Sequence, residues 1–432
     1  MTLTEAAYWT RRLGVILIAL FGMLIIIVLV ISNVKEDTTP PEYAKPSYAC
    51  TDTAEEFLQN KLNIPSLELA SGSEKIFEID TETGKADQLP QIVNVYKYDN
   101  PGQLLNSQDE AKKIAKSLGF NPELISRTTN EYYWNDSTTS RELRVQARNL
   151  NLTMKTDFSK PNGKLPEGTL PTESQASSIA SNFLRNAGLL TDDYANQKPL
   201  TKYITIEPDG SYSEANSVGE ADLIRVDFIR KTPIITIRSD WEGADQMKTQ
   251  LEDKGFIAET DSITVDGERV EIFNFNTVII GQDTQKSNIS LYVGPKHEKI
   301  SGSTGASQIY DITYTNWYLE TLPCGTYSLL PASIAISKIQ SGEGSLVYLN
   351  EKNGDTVVPY SPRVVKKFRV LDITIAYYDA PTEQDYLQPI YVITGEASFD
   401  NGVLGKFYYF VPAINYDQVE DKAIEETEVA EK

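Results

Sequence analysis

Carboxylates are the one catalytic type of side chain that this sequence supplies in quantity. It has 61 Asp and Glu residues but a single histidine, His297, in the segment Gly294–Glu298. One histidine cannot form a His–His metal site, and no G-x-S-x-G motif accompanies it to suggest a Ser-His-Asp triad. Beside Lys296 and Glu298, His297 is typical of a solvated surface loop. The sequence therefore predicts no catalytic, cofactor-binding or metal-binding residues.

Paired carboxylates are the basis of the enzymatic alternative, a hydrolase of the cell envelope. Glycoside hydrolases hold two carboxyl groups about 5–10 Å apart. Trp134, Trp241 and Trp317 are aromatic side chains that can line such a cleft. Many of the tyrosines, however, fall in predicted strands, where aromatic side chains fit the pleated surface without any ligand. We therefore predict that the protein is not an enzyme, and we keep the carboxylate-based hydrolase as the alternative.

The two cysteines, Cys50 and Cys324, are the only thiol groups of the chain. Neither belongs to a C-x-x-C pair, so the sequence gives no support for redox or zinc chemistry. An extracytoplasmic location permits a disulfide between them. Two free thiols are the alternative, and the sequence does not decide between the two states.

A run of uncharged, mostly apolar residues, Leu13–Ser32, follows directly after Arg11 and Arg12. As a helix it spans about 30 Å, the thickness of the hydrocarbon core of a bilayer. The positive-inside rule places residues 1–12 in the cytoplasm and the rest of the chain outside. We predict an uncleaved signal anchor, with a cleaved signal peptide as the alternative. The residues expected at or in the bilayer include Arg11, Arg12, Leu13, Ile18, Phe21, Ile26 and Ser32.

The chain is strongly acidic, with a formal net charge of −21. Such a charge repels nucleic acid, and no basic stripe is present to bind it. We interpret the charge as a feature that keeps the extracytoplasmic part soluble.

Composition divides the remainder of the chain into segments. Residues 33–50 contain Pro40, Pro41 and Pro46 and predict an extended linker. The acidic residues 415–432 predict a disordered tail. Because the intervening stretch is too long for one ordinary core, we expect several domains. The predicted modules are residues 51–160, residues 161–325 with a β-rich insert, and residues 326–414.

A short helical pattern of small and apolar residues occurs three times. Each copy places these residues on one narrow stripe suited to packing on a sheet. Ser107 and Glu110 match a capping box before the first copy, as do Thr172 and Gln175 before the second. The three stripes are Ala111, Ile114, Ala115 and Leu118; Ala176, Ile179, Ala180 and Phe183; and Ala332, Ala335, Ile336 and Ile339.

Segments rich in strand-forming residues follow each helix. They include Arg141–Lys155 after the first helix, Leu223–Arg230 after the second, and Lys366–Tyr378 and Tyr386–Glu396 after the third. Turn residues and alternation indicate hairpins and meanders. The predicted fold class is α+β, with tandem modules of antiparallel sheet, a short helix packed on one face of each, and one N-terminal transmembrane helix.

The helix-then-strands pattern resembles the PepSY-like modules of membrane-anchored extracytoplasmic proteins, including regulators of the YycH/YycI type. Gln108–Phe120 with its strands and Glu173–Gly188 with Asp222–Arg238 carry the resemblance, and Pro331–Gly342 with Arg369–Glu396 follows the same plan. Those regulators also have one N-terminal transmembrane helix and an outward-facing ectodomain. The resemblance implies regulation or protein binding outside the cell.

We therefore expect a bacterial single-pass membrane protein, held in the lipid bilayer by its N-terminal helix. Its extracytoplasmic part is expected to bind another envelope protein or an envelope polymer and to bind no nucleic acid. The alternatives are the hydrolase described above and a structural scaffold of the cell surface.

Overall fold

A computed structural model describes residues 46–81, 92–99, 105–241, 243–265, 267–353, 356–357 and 362–430. The predicted anchor, Leu13–Ser32 with Arg11 and Arg12, lies outside the described residues. Among the described residues, no helix is both long enough and apolar enough to cross a membrane.

The described residues form an α+β fold whose sheets are mostly antiparallel, as the sequence predicts at this level. Their α-helices are α1 (Ala54–Leu58), α2 (Ser107–Ser117), α3 (Glu173–Asn186), α4 (Asp192–Ala195), α5 (Ala244–Asp253), α6 (Ala332–Ser341) and α7 (Tyr416–Ala430). Two short 3-10 turns occupy Pro161–Gly163 and Ala306–Gln308.

The three predicted amphipathic helices are α2, α3 and α6, and all three bury their small and apolar stripes except at Ile179 of α3, which is only partly buried. The capping box at the start of α3 is present, because Thr172 accepts from the N–H of Gln175 and the Gln175 side chain reaches back. The predicted capping box of α2 is wrong. Its N-cap is Asn106, and the Ser107 hydroxyl is buried 3.0 Å from the Tyr132 hydroxyl instead. The Ser107 side chain bonds to the buried Tyr132 hydroxyl and therefore does not cap the backbone of the helix.

The first sheet is an antiparallel sheet of nine strands, and α2 and α3 pack on one of its faces. In spatial order its strands are β3 (Ser126–Arg127), β4 (Glu131–Asp136), β5 (Arg141–Gln146), β6 (Leu152–Thr156), β15 (Ile309–Tyr314), β14 (Ile289–Val293), β9 (Leu223–Phe228), β7 (Leu200–Ile206) and β8 (Tyr212–Glu214).

The second sheet has nine strands and carries α6, whose Ile336 and Ile339 lie in its core. Its main path is β1 (Phe77–Ile79), β19 (Val365–Tyr378), β20 (Tyr386–Phe399), β21 (Leu404–Pro412), β17 (Ser345–Asn353) and β18 (Thr356–Val357). Three more strands join it, with β13 (Val278–Ile280) on β19, β2 (Ile92–Asp99) on β20, and β16 (Tyr318–Ser328) on β2. The pairs β1–β19 and β13–β19 are parallel.

The third sheet is small and antiparallel, and α5 covers part of one face with Met247 and Leu251. Its strands, in spatial order, are β10 (Ile234–Arg238), β12 (Glu268–Asn276) and β11 (Ala258–Val265).

Strand pairing does not follow the three predicted modules. Strands β1 and β2, from the predicted first module, lie in the second sheet with β19 and β20. Strand β15, from the predicted second module, pairs with β6 of the first. Local periodicity identifies a strand but not its partner, because pairing is decided by residues distant in sequence. The described residues, which begin at Pro46, belong to a single compact unit.

Two segment predictions are wrong over the part that the structure describes, and the rest of the predicted linker, residues 33–45, lies outside the described residues. Residues 46–50 belong to the body and not to the linker, since Tyr48 donates its N–H to the carbonyl of Thr326 and Cys50 is bonded to Cys324. The acidic tail is not disordered over Tyr416–Ala430, which forms α7 and packs on α1 with Val419 buried. One buried apolar face was enough to order a segment whose composition is mostly polar.

Candidate functional site

The first and second sheets meet where the chain passes from β15 to β16. Trp317 lies between these two strands and is only 6% exposed. Its indole N–H donates to the carbonyl of Ala380, at the end of β19, over 2.9 Å. Trp317 therefore attaches the segment between β15 and β16 to the end of β19 in the second sheet.

A buried arginine, Arg230, joins the two sheets beneath this turn. It donates to Asp193 over 2.8 Å, to the carbonyl of Trp317 over 2.8 Å and to the side chain of Asn316 over 3.0 Å. Its Nε lies 3.5 Å from a carboxylate oxygen of Asp379 on the second sheet. Such a planar fork suits several acceptors at once, so Arg230 holds the junction in one arrangement.

One buried cation meets two carboxylates in this junction. Burial lowers the pKa of Arg230, but its interactions with Tyr194 and Asp379 raise it above the ordinary value. Tyr98 donates its hydroxyl to Asp379 over 2.8 Å, and burial, followed by the charge of Asp379, raises the pKa of Tyr98. Arg230 is therefore a permanent cation facing a hydrogen-bonded carboxylate. Its role is to hold the two sheets together and not to donate a proton.

Above the junction lies a cleft of about 840 Å³, formed by turns from both sheets. Its volume falls in the range of small-molecule and peptide sites. The β3–β4 and β5–β6 turns contribute one wall, the β19–β20 turn contributes the other, and Trp317 lies between them. The lining residues are Thr129, Asn130, Glu131, Gln146, Ala147, Arg148, Asn149, Trp317, Pro381, Thr382 and Glu383.

An ion pair connects the two walls of the cleft. Arg148 of the first sheet and Glu383 of the second approach to 2.7 Å between nitrogen and oxygen. Their side chains are 52% and 35% exposed, so water screens the pair and it contributes only about 0–1 kcal/mol to stability. A ligand with its own charged or polar groups can therefore replace either partner at small cost.

The cleft is lined by side-chain amides as well as by the charged groups of Glu131, Arg148 and Glu383. Asn130, Gln146 and Asn149 present side-chain amides that both donate and accept. Tyr318, 44% exposed, lies beside Arg148 and Glu383 in an adjoining small pocket and adds an aromatic surface. Among the described residues, no group of three His, Cys, Asp or Glu side chains is arranged to hold a metal ion.

A second polar cluster lies on the first sheet and bears on the hydrolase alternative. Burial raises the pKa of Asp311 from 3.8 to about 6, although Tyr212 donates its hydroxyl to that carboxylate over 2.8 Å. Asp227, on β9 of the same sheet, is paired with Arg225 at 2.8 Å. Asp311 is only 6% exposed, so this is an interior carboxyl and not a residue of an open cleft.

The sequence-highlighted aromatic residues separate in the structure. Trp134 is a core residue of the first sheet, and Trp241 packs beside α5 on the third. Trp317 alone of the three lies at the cleft. His297 is half-buried, its Nδ1 accepts from the N–H of Lys299, and burial lowers its pKa below the ordinary value.

Cys50 and Cys324 form a disulfide, which closes a sequence separation of 274 residues. It lies among the buried aromatic residues Phe57, Tyr327 and Tyr386, close to where α1 begins. The bond ties the first described residues of the body to β16.

The residues that build the cleft were missed in the sequence. Arg148 and Glu383 are 235 positions apart, and each is an unremarkable charged residue in a turn. The only local signal was a polar hairpin turn, which is common in any sheet. Their proximity depends on the packing of two sheets.

Comparison with known proteins leaves the family open. No family model matches the chain, and no curated protein matches it. One solved structure that aligns with it is an uncharacterized protein from Eubacterium rectale ATCC 33656. The identity is 11%, the TM-score is 0.35, and the alignment covers 81% of this chain and 91% of the other.

Proposed function

We propose that the protein is a single-pass, membrane-anchored extracytoplasmic protein that binds another envelope protein or an envelope polymer. In this proposal Leu13–Ser32 is the anchor, and the cleft between the first and second sheets is the binding site. The PepSY-like pattern of α2, α3 and α6, with the strands that follow them, supports a binding or regulatory role in place of catalysis.

The observation that carries the proposal is the lining of the cleft. Amide side chains from one sheet face a turn of the other, and a weak, exposed ion pair crosses between them. Amides match the donors and acceptors of a polypeptide backbone or a sugar polymer. A ligand bound there contacts both sheets, and it competes with the Arg148–Glu383 pair.

The same geometry suggests how binding can be regulatory. A ligand that displaces Glu383 from Arg148 removes a direct link between the β5–β6 and β19–β20 turns. The buried Arg230 junction beneath remains, so the expected response is a local change at the turns and not separation of the sheets.

Site-specific photocrosslinking of the full chain in its native membrane tests the binding site. A photoreactive amino acid replaces Thr129 or Thr382, which are exposed and lie in the two opposing walls. The matched control replaces Asp209, in the turn between β7 and β8 at the other end of the first sheet. We expect adducts from both cleft positions and none from the control, and protease or glycosidase digestion then identifies the adduct as protein or polymer.

Arg148→Ala is expected to lower the adduct yield at both cleft positions, while Arg185→Ala, at an exposed arginine of α3, leaves it unchanged. Equal crosslinking at the cleft and at position 209, or none at any position, contradicts the proposal.

The anchor is tested separately by protease treatment of intact and lysed spheroplasts. The body is expected to be digested in intact spheroplasts. Protection that is lost only on lysis contradicts the proposed topology without bearing on the cleft.

A further inference from the structure

Strand β11 is an open edge of the third sheet. It forms an uninterrupted antiparallel register of eight residue pairs with β12, from Ala258↔Phe275 to Val265↔Glu268. Among the described residues it pairs with no other strand. Its outer row of backbone N–H and C=O groups therefore faces no described strand and can accept a further one, which must replace the bond that the Ser262 N–H donates to the Asp261 carboxylate over 2.7 Å.

The other strands that end a sheet in the described part of the chain are short, covered or bulged. Strands β1, β3, β8, β13 and β18 have only two or three residues each. Strand β10 packs against β2. Strand β16 has two register shifts and Pro323, and the backbone of Tyr48 bonds to it. By contrast, β11 has no proline and no bulge, two of the usual protections of an edge, and its exposed carboxylates, Glu259 and Asp261, protect it only against strands of like charge.

The side chains of β11 define what kind of strand fits beside it. Glu259, Asp261 and Ile263 lie on one face, and all three are exposed. No described residue forms an ion pair with either carboxylate. The one arginine of the hairpin, Arg269, lies on the opposite face and donates to Ser262 over 2.9 Å. The open face thus carries two carboxylates without an ion-pair partner among the described residues, followed by an apolar side chain, and the Asp261 carboxylate accepts a hydrogen bond from the N–H of Ser262.

We propose that β11 is a docking edge for an extended segment of a partner protein that carries basic residues at alternate positions, followed by apolar ones. Backbone hydrogen bonds supply the affinity in such strand addition, and side chains on one face supply the specificity. A second copy of this chain is disfavoured as occupant, because like charges opposed across a strand pair are destabilising. This inference concerns a different sheet from the cleft and does not depend on the proposed function.

The test uses the full chain in detergent and synthetic eight-residue peptides as probes. The first peptide has two lysines at alternate positions and two valines further along the same face. The second has glutamates in place of the lysines. The third is the lysine peptide with N-methyl groups on alternate backbone amides, which prevents strand pairing but keeps the charge.

We expect the lysine peptide to bind and the other two not to bind. Glu259→Lys with Asp261→Lys is expected to weaken lysine-peptide binding at least about twofold, as the loss of two exposed ion pairs implies. The same change at Glu167 and Glu220, two exposed carboxylates on other surfaces, alters the net charge equally and is expected to leave binding unchanged.

Three results overturn the inference. The first is equal binding of the N-methylated peptide, or equal weakening by the control variant, since either shows non-specific attraction to an acidic protein. The second is a concentration-dependent dimer that is abolished by the β11 variant, which assigns the edge to a second copy. The third is no peptide binding by a wild-type chain whose circular dichroism shows that it is folded.

Discussion

At the scale of single residues, the structure depends on charged groups that the fold removes from water. Arg230 is such a group, because its guanidinium is buried and its partners come from both large sheets. Removing one member of a buried pair leaves the other charge without compensation, and this is more costly than losing a surface pair.

Arg230→Met is therefore expected to lower the free energy of unfolding by about 3–5 kcal/mol, since Asp379 loses its buried cation. Urea denaturation followed by circular dichroism measures the change. Arg185→Met, at an exposed arginine of α3, serves as the control and is expected to change stability by less than about 0.5 kcal/mol. Equal effects of the two substitutions contradict a stabilising role of Arg230 between the two sheets.

The raised pKa of the Asp311 carboxyl predicts how the stability of the protein changes with pH. Because burial raises its folded-state pKa from 3.8 to about 6, the native state binds more protons than the unfolded state between these values. Stability contributed by this group therefore falls as the pH rises from about 4 to about 6, by at most about 3 kcal/mol.

Asp311→Asn removes that titration while preserving an oxygen acceptor for the Tyr212 hydroxyl. The difference in unfolding free energy between variant and wild type, measured from pH 4 to pH 7, is expected to grow in favour of the variant as the pH rises. A difference that stays constant over this range shows that the carboxyl at position 311 does not titrate there.

At the scale of elements, α2 and α3 end alike but are packed differently. Gly119 follows α2 with φ +86°, and Gly188 follows α3 with φ +71°. Both angles lie in the left-handed region that favours glycine. A Cβ at Gly119 meets the backbone carbonyl of Ser301 at 1.8 Å, whereas one at Gly188 meets nothing within 4 Å.

Gly188→Ala is expected to lower the free energy of unfolding by about 1–2 kcal/mol, because an alanine at this position is strained in the left-handed conformation. Gly119→Ala adds the collision with Ser301 and is expected to cost at least about 2 kcal/mol more. Chemical denaturation of the two variants gives the comparison. Equal costs show that the Ser301 loop can move aside freely.

At the scale of the whole molecule, the Cys50–Cys324 disulfide links two residues that are far apart in the sequence. It closes a separation of 274 residues and so restricts the unfolded chain strongly. The chain-entropy model gives a stabilisation of roughly 5 kcal/mol for a loop of this size.

Cys50→Ala with Cys324→Ala is expected to lower the unfolding free energy by up to that roughly 5 kcal/mol. Wild-type protein treated with a reductant is the matched comparison, and it is expected to approach the variant in urea denaturation. If the oxidised wild type and the double variant unfold at the same urea concentration, the bond does not constrain the unfolded state.

Much of the secondary structure of this protein could be predicted from its sequence. The stripes of α2, α3 and α6 are buried where the 3.6-residue period predicts them, with Ile179 of α3 only partly buried. The strands β19 and β20 lie over the predicted segments Lys366–Tyr378 and Tyr386–Glu396. Periodicity and turn chemistry act within a few residues, so one sequence is enough to reveal them.

The sequence by itself determined the fold class, the helices with their buried faces and the acidic character of the chain. The tertiary structure decided which strands pair, that Tyr416–Ala430 is helical, and that Arg148 meets Glu383 across a cleft. The physical reason is range. Propensity and periodicity are properties of neighbouring residues, whereas a cleft between two sheets is made by side chains hundreds of positions apart that only the packing of the whole chain brings together.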